Sequence, residues 1–344
     1  MKNIIKRSIY PLMLGFMIVL FNGCEKDEEG QLPIVETNAL YNLTSIGAFC
    51  EGNITSDGGA KITNRGFCWS LDSSSAIVSN PTSAGMGKGY FTVKMFGLNP
   101  RTTYYVRAFA SNRVGTTYSE VMMFKTPGDE IVFNPSKTYG TVTDVDNNTY
   151  KTIKIGNQTW MAENLKVITY NDSVAIPLFS DDMGWRNREA FNLPVYCGTY
   201  NNVLAFKDIY GAYYNWNVVN TGKLCPTGWH VPSENEWQAL CNYLGGAGVA
   251  GSKLKETGSN HWWYNQSAEA TNESGFTALP GGGGVGSGSF TSIGGYGYWW
   301  SSTMTADSNA VKFNIYCSDD GVFRYEINPR YGFSVRCIKD SQEE

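Results

Sequence analysis

Hydrophobic and polar positions alternate most cleanly along Thr103–Ala110. Tyr104, Val106 and Ala108 fall on one face and Tyr105, Arg107 and Phe109 on the other. A period of two is the mark of a strand with one side against a core. Shorter runs of the same character lie at Arg65–Ser70 and Phe91–Met95 before it, and at Gly115–Tyr118 and Phe124–Pro127 after it. Turn residues separate them, as in Asn53-Ile54-Thr55-Ser56-Asp57-Gly58-Gly59. Residues 32–127 are therefore predicted to form a β-sandwich. Two more alternating runs, from Gly140 and from Thr149, flank Asp144–Asn148 and predict a hairpin. Asp144, Asp146 and Asn148 have the 1-3-5 spacing of a calcium loop, but no loop glycine or distal Glu follows, so the segment reads as a turn.

The period changes beyond residue 232. Trp237, Leu240, Cys241 and Leu244 stand at i, i+3, i+4 and i+7, one apolar stripe of a helix. Ser233-Glu234-Asn235-Glu236 is a capping box ahead of it, with both carboxylates in the first turn. Gly245-Gly246 ends it. The thiol, imidazole and acids of Cys225–Trp237 are thus accounted for by a helix entrance. No sequence neighbour gives His230 the partner a general base needs.

Composition changes the picture in two places. Fifteen of the 38 glycines fall between 245 and 297, so that segment is expected to be irregular. Gly281–Gly284 lacks the Gly-Lys-Ser/Thr ending of a phosphate loop. At the start, Lys2, Lys6 and Arg7 precede the apolar run Pro11–Phe21, which has signal-peptide length and is too short to span a membrane. Without residues 1–23 the chain loses three positive charges and no negative ones, and its formal charge goes from −4 to −7. That balance argues against nucleic acid as a partner.

Asn22-Gly23-Cys24 resembles the bacterial lipobox, although Phe21 and Asn22 depart from its commonest residues. The resemblance implies that Cys24 carries the lipid that attaches the chain to a membrane; ordinary cleavage with a free Cys24 is the alternative. The acidic run Glu25–Glu29 reads as a solvated tether over 24–31, and resembles the stretch behind the lipidated cysteine of surface-exported Bacteroidetes lipoproteins. The location implied is the outer membrane, facing outward.

Leu98-Asn99-Pro100-Arg101-Thr102-Thr103-Tyr104 resembles the corner of the fibronectin type III module, usually a spacer. Cys50 and Cys68 lie in predicted neighbouring elements of that sandwich and are expected to form a disulfide, with two small buried hydrophobes as the alternative. After a linker, 128–136, residues 137–340 carry "WMAENL", "YGAYYNW", "CPTGWHVPSENEW", "KLKETGSNHW", "SGFTALPGG", "WWSST" and "FSVRCIKD". These motifs, in this order, resemble the Fibrobacter succinogenes major paralogous domain of exported bacterial proteins, itself similar to C-type lectins and to the formylglycine-generating enzyme. The fold class expected is multidomain: an all-β fibronectin III-like sandwich followed by an α+β C-type-lectin-like domain. The resemblance also implies a Cys225–Cys337 disulfide, with Cys241–Cys337 as the lectin-type alternative.

Enzymatic chemistry finds little footing. His230 and His261 are the only histidines, neither in a metal-ligand spacing, and no Gly-x-Ser-x-Gly elbow occurs. The formylglycine-generating relative uses two nearby cysteines, whereas Cys317 and Cys337 are twenty apart. The Glu-Pro-Asn, Gln-Pro-Asp and Trp-Asn-Asp ligands of calcium lectins do not occur. No cofactor or metal is expected. The reading is a displayed binding domain for an extracellular glycan or protein, with an exported enzyme or a subunit of a surface fibre as runners-up. Rings beside glycine turns suit such contacts: Trp263, Tyr264, Tyr296 and Tyr298 are the candidate ligand-binding residues, while Trp299 and Trp300 are expected in the core.

Overall fold

The computed structural model describes residues 30–74, 80–178, 194–197, 204–263, 269–284 and 290–341. Cys24 and Tyr264 lie outside the described residues. The first domain has strands β1 (Ile34–Thr44), β2 (Gly47–Ser56), β3 (Asn64–Ser70), β4 (Thr82–Ser83), β5 (Gly89–Phe96), β6 (Thr103–Ser111), β7 (Thr116–Tyr118) and β8 (Met122–Lys125). One sheet runs β1-β2-β5 and the other β4-β3-β6-β7, with β8 also on β6. That is the two-sheet order of a fibronectin type III sandwich. Between the sheets pack Cys50, Phe67, Val93, Met95, Tyr104, Val106 and Ala108, so the face foreseen for β6 is the buried one. The corner is held as its motif implies: Leu98 is buried and the Asn99 N–H donates to Tyr104 Oη at 2.9 Å.

Cys50 and Cys68 are not bonded, which corrects the disulfide expected there. The alternation of β3 explains it. Phe67 points into the core shared with Cys50, so Cys68 takes the opposite face, beside Phe109 and Tyr118. Cys50 Sγ instead sits 4.0 Å from Met95 Sδ.

The second domain contains β9 (Gly140–Thr143), β10 (Thr149–Ile155), β11 (Gln158–Met161), β12 (Tyr196–Cys197), α1 (Leu204–Tyr210), β13 (Tyr213–Tyr214), α2 (Trp216–Val219), β14 (Trp229–His230), α3 (Glu234–Tyr243), α4 (Ala247–Leu254), β15 (Gly283–Gly284), β16 (Phe290–Thr291), β17 (Tyr296–Met304), β18 (Ala310–Tyr316), β19 (Val322–Ile327) and β20 (Ile338–Lys339). A five-stranded sheet, β14-β20-β11-β10-β9, brings the end of the domain back to its beginning, and β17-β18-β19 forms a second sheet. The hairpin turn is built on Asp144, which accepts from the N–H groups of Asp146 and Asn148 and from Tyr150 Oη. Among the described residues no helix is long and apolar enough to cross a membrane.

Helix α3 begins as foreseen: Ser233 caps it, and Glu236 reaches back to the Ser233 N–H at 2.7 Å. Its stripe buries Trp237 against Trp160, Phe276, Trp299 and Phe313. Helix α4 departs from expectation, because it is regular despite Gly248 and Gly251. A Cβ at Gly251 would lie 2.2 Å from the Gly321 carbonyl oxygen, so the glycine lets the helix press against the β18–β19 turn. Close packing here outweighs the helix propensity lost.

Cys225 and Cys337 form a disulfide, and Cys241 is buried and unbonded. The bridge lies in a core with Tyr214, Trp300, Phe333 and Val335. Trp299 and Trp300 are both fully buried, on opposite faces of β17.

The 128–136 segment is not a free linker. The Glu256 carboxylate accepts from the Val132 N–H at 2.6 Å, and Asn134 donates to the Asn272 carbonyl at 2.8 Å. The two domains also share a small core of Ile46, Phe206, Tyr210, Leu279 and Ile293, with Phe96 and Ile131 against it.

Candidate ligand-binding face

The predicted ring residues separate. Trp263 belongs to the domain junction rather than to an outward face. Its ring meets Phe49 edge-on at 5.1 Å, and Lys94 Nζ of β5 stands 4.1 Å from its centroid. Gly294 and Gly295 form its bed: a Cβ on Gly294 would come within 2.2 Å of the indole. Burial pushes the Lys94 ammonium down to about 8. A cation over an indole gains about 0.5–2 kcal/mol depending on desolvation.

Tyr296 and Tyr298 take a different position, on one face of the β17–β19 sheet. Their rings stack at 5.7 Å, and Tyr316 meets Tyr296 edge-on at 4.9 Å. Register places Tyr296 opposite Tyr316 and Tyr298 opposite Asn314 on β18, and Lys312 opposite Tyr325 on β19. The face is therefore a strip of tyrosines with polar groups set between them. Tyr296 and Tyr325 are 38% and 43% exposed, open enough for contact.

The polar groups form one chain of hydrogen bonds. Lys312 Nζ donates to Asn314 Oδ1 at 2.7 Å, Asn314 Nδ2 donates to Tyr316 Oη at 3.0 Å, and Tyr316 Oη donates to Tyr325 Oη at 3.0 Å. Burial pushes the Tyr298 phenol up to about 12 and raises that of Tyr316 as well, so both are neutral donors and acceptors at physiological pH. Burial also pushes the Lys312 ammonium down to about 7. Tyr331 and Phe333 border the strip, Phe333 tilted against Tyr298 at 5.3 Å. Stacking rings, an amide, phenols and an amine within one sheet face are what a polar ring-shaped ligand needs.

Lys312, Asn314, Tyr316 and Tyr325 were missed in the sequence. The signal was there: in Ala310–Tyr316 the apolar Val311, Phe313 and Ile315 alternate with Lys312, Asn314 and Tyr316.

His230 is also placed differently from its reading as a residue without a partner. Its Nε2 is 2.9 Å from Glu236 Oε1 and its Nδ1 2.6 Å from Asp340 Oδ1. The hydrogen bond to Glu236 raises its pKa to about 9, against the opposing effect of burial and with help from Asp340. A histidine held charged at neutral pH clamps the helix entrance to the end of the chain; it has no lone pair left to act as a base. His261 is buried beside Glu256, with Nδ1 2.7 Å from a carboxylate oxygen and Nε2 3.3 Å from the Asp129 carbonyl.

These features sit on a recognisable frame. The Fibrobacter succinogenes major domain model matches residues 153–339, more than half of the chain, and the chain belongs to that family. No curated protein matches the chain. Among solved structures, it is similar to the sensor domain of the anti-sigma factor RsgI4 of Pseudobacteroides cellulosolvens, with 20% identity over 28% of this chain and 95% of that one at a TM-score of 0.23. It is also similar to the sixth fibronectin type III domain of human fibronectin type III domain containing protein 3, with 22% identity over 32% and 93% at 0.22. The third fibronectin III domain of human KIAA0343 protein gives 19% over 34% and 98% at 0.21.

Proposed function

We propose that the chain is a lipid-anchored protein of the outer membrane that presents a C-type-lectin-like domain to a glycan or protein ligand outside the cell. The observation that carries this reading is the tyrosine strip of Tyr296, Tyr298, Tyr316 and Tyr325, wired through Asn314 to the Lys312 amine. Its rings lie on a sheet rather than a mobile loop, so little conformational entropy is lost on binding. The lectin plan is supported by the return of β20 to pair with β11 and β14, and by the disulfide that ties Cys337 to the helix entrance at Cys225. The lectin-type Cys241–Cys337 pairing is replaced here by Cys225–Cys337. The anchor reading rests on Lys2, Lys6, Arg7, the apolar run and Cys24, and outward display on the acidic tether. The junction makes the sandwich a fixed pedestal for the second domain, so the tyrosine face is held in a set direction. Catalysis is not part of the proposal: His230 is spent on its clamp, and His261 is enclosed with Glu256.

The test has two arms. Labelled palmitate is taken up by the wild type and not by Cys24→Ala, and protease shaving of intact cells removes the second domain. The purified chain on a glycan array, with and without chelator, gives the same chelator-insensitive set of hits. Full protection from the protease, or turnover of a sugar or peptide panel, contradicts the reading.

A further inference from the structure

The described residues contain two buried lysines, and they are treated very differently. Lys255 Nζ donates to the Asp319 carbonyl at 2.8 Å and to that of Tyr316 at 3.4 Å, with the acid groups of Asp319 and Asp320 close enough to favour its charge. Lys312, 7% exposed, has a single hydrogen-bond acceptor among the described residues, the neutral Asn314 Oδ1. Its other neighbours are rings: Tyr298 at 4.2 Å, Phe333 at 4.7 Å and Tyr325 at 5.2 Å.

Among the described residues, the groups facing this amine come from four elements. From β17 come the Tyr298 phenol and Trp300, directly opposite Lys312 in the ladder, from its own strand Asn314 and beyond it Tyr316, from β19 Tyr325, and from the segment before β20 the Phe333 ring. None is a carboxylate. Glu326, next along β19, pairs with Val311 on the opposite face and is engaged by Arg324 at 2.7 Å. A buried amine is normally matched by an opposite charge or saturated with carbonyls. Here the rings stabilise a positive charge without neutralising it.

We propose that Lys312 is the specificity group of this face and that the ligand is a carboxylate-bearing sugar, a uronate or a sialate; this rests on the reading of the face as a ligand site. The sugar ring stacks on the Tyr296–Tyr298 pair, and its carboxylate takes the open N–H positions of the Lys312 ammonium in a charge-assisted hydrogen bond. Tyr325 is exposed on an edge strand, so turning its ring aside opens the way to the amine without moving the backbone. Because burial holds the free amine near neutrality, binding an anion draws a proton onto it. Affinity for the acidic sugar therefore falls as pH rises past 7, approaching about tenfold per pH unit, while affinity for a neutral sugar does not follow pH.

The experiment is a calorimetric titration of the mature chain with trigalacturonate, with sialyllactose, and with galactotriose and lactose as neutral counterparts, at pH 6.5, 7.5 and 8.5. The expected result is at least one acidic sugar bound about tenfold or more tighter than its neutral counterpart, with proton uptake and the stated loss at high pH; which acid binds distinguishes uronate from sialate. Lys312→Met, which keeps the packing of the stem, retains the thermal midpoint and loses the acidic preference. Lys312→Arg keeps the preference but not the pH dependence, so the result does not hang on one variant. Equal binding of acidic and neutral sugars, or a preference that survives Lys312→Met, overturns this proposal and leaves the sugar-binding face standing. Silence towards all four sugars also overturns this proposal, while the broader reading of the face as a site for a glycan or protein is decided separately by the array.

Discussion

Arg336 Nε donates to Asn164 Oδ1 at 2.8 Å, in a part of the molecule where both side chains are buried. The same amide oxygen accepts from Trp299 Nε1 at 2.9 Å, and Asn164 Nδ2 donates to the Tyr210 carbonyl at 2.8 Å. The guanidinium also donates to the Phe276 and Thr277 carbonyls and lies over the Phe276 ring. Residues from five separated motifs, "WMAENL", "YGAYYNW", "SGFTALPGG", "WWSST" and "FSVRCIKD", thus meet in one satisfied polar knot. Gly211 is required beside it, since a Cβ there would lie 2.7 Å from Asn164 Cβ in a backbone turned to φ +80°.

Asn164→Leu should remove an acceptor from two buried donors at once. An uncompensated buried charge and N–H make this costly, about 3–5 kcal/mol. Urea denaturation checks it; a loss under 1 kcal/mol would show that the knot holds little.

Much of this was legible beforehand, and the limit is physical. The strand at Thr103–Ser111 and the cap at Ser233 are local patterns, set by side-chain period and by helix-end chemistry, and the chain follows both. The clamp of His230 on Asp340 joins residues 110 apart and leaves no local trace. Trp263 sits beside glycines as an exposed ring would, but those glycines are the surface it packs on. Cys50 and Cys68 occupy strands of opposite sheets, and only the direction of Phe67 shows that their side chains diverge. The tyrosine strip was half read: the glycine turns drew attention to Tyr296 and Tyr298, whereas their company with Lys312 and Asn314 needed the strand pairing.

Non-reducing peptide mapping should recover the Cys225–Cys337 link and no link between Cys50 and Cys68. The bridge closes a separation of 112 residues. Replacing both Cys225 and Cys337 by Ser should cost about 2–5 kcal/mol.

The His230 clamp makes stability depend on alkaline pH. Its folded pKa, about 9, lies above the ordinary histidine value of about 6.5. Its contribution is therefore fully present below pH ~6.5 and is lost as pH rises through about 9. The side chain is 41% exposed, so solvent screening keeps the effect small. Thermal midpoints from pH 6 to pH 10 should fall for the wild type and flatten for His230→Gln. Glu236 acts in the other direction: burial raises its pKa, but the bonds from His230 and Ser233 outweigh that and lower it. Its contribution is lost as pH falls through the lowered value.

Trp263→Ala should loosen the junction. The change removes the edge contact with Phe49, the cation over the indole and the fit on Gly294–Gly295. Scanning calorimetry should turn one coupled transition into two, with about 2–4 kcal/mol of coupling lost. A single unchanged transition would mean that the domains are joined elsewhere.

The most direct test of the central claim sets the wild type beside a Tyr296→Ala, Tyr316→Ala double variant in binding to the strongest glycan-array hit. Circular dichroism and the thermal midpoint establish that the variant is folded. The tyrosine face predicts a loss of about tenfold or more in affinity. An affinity unchanged in the folded variant would place the ligand elsewhere on the molecule and contradict the account.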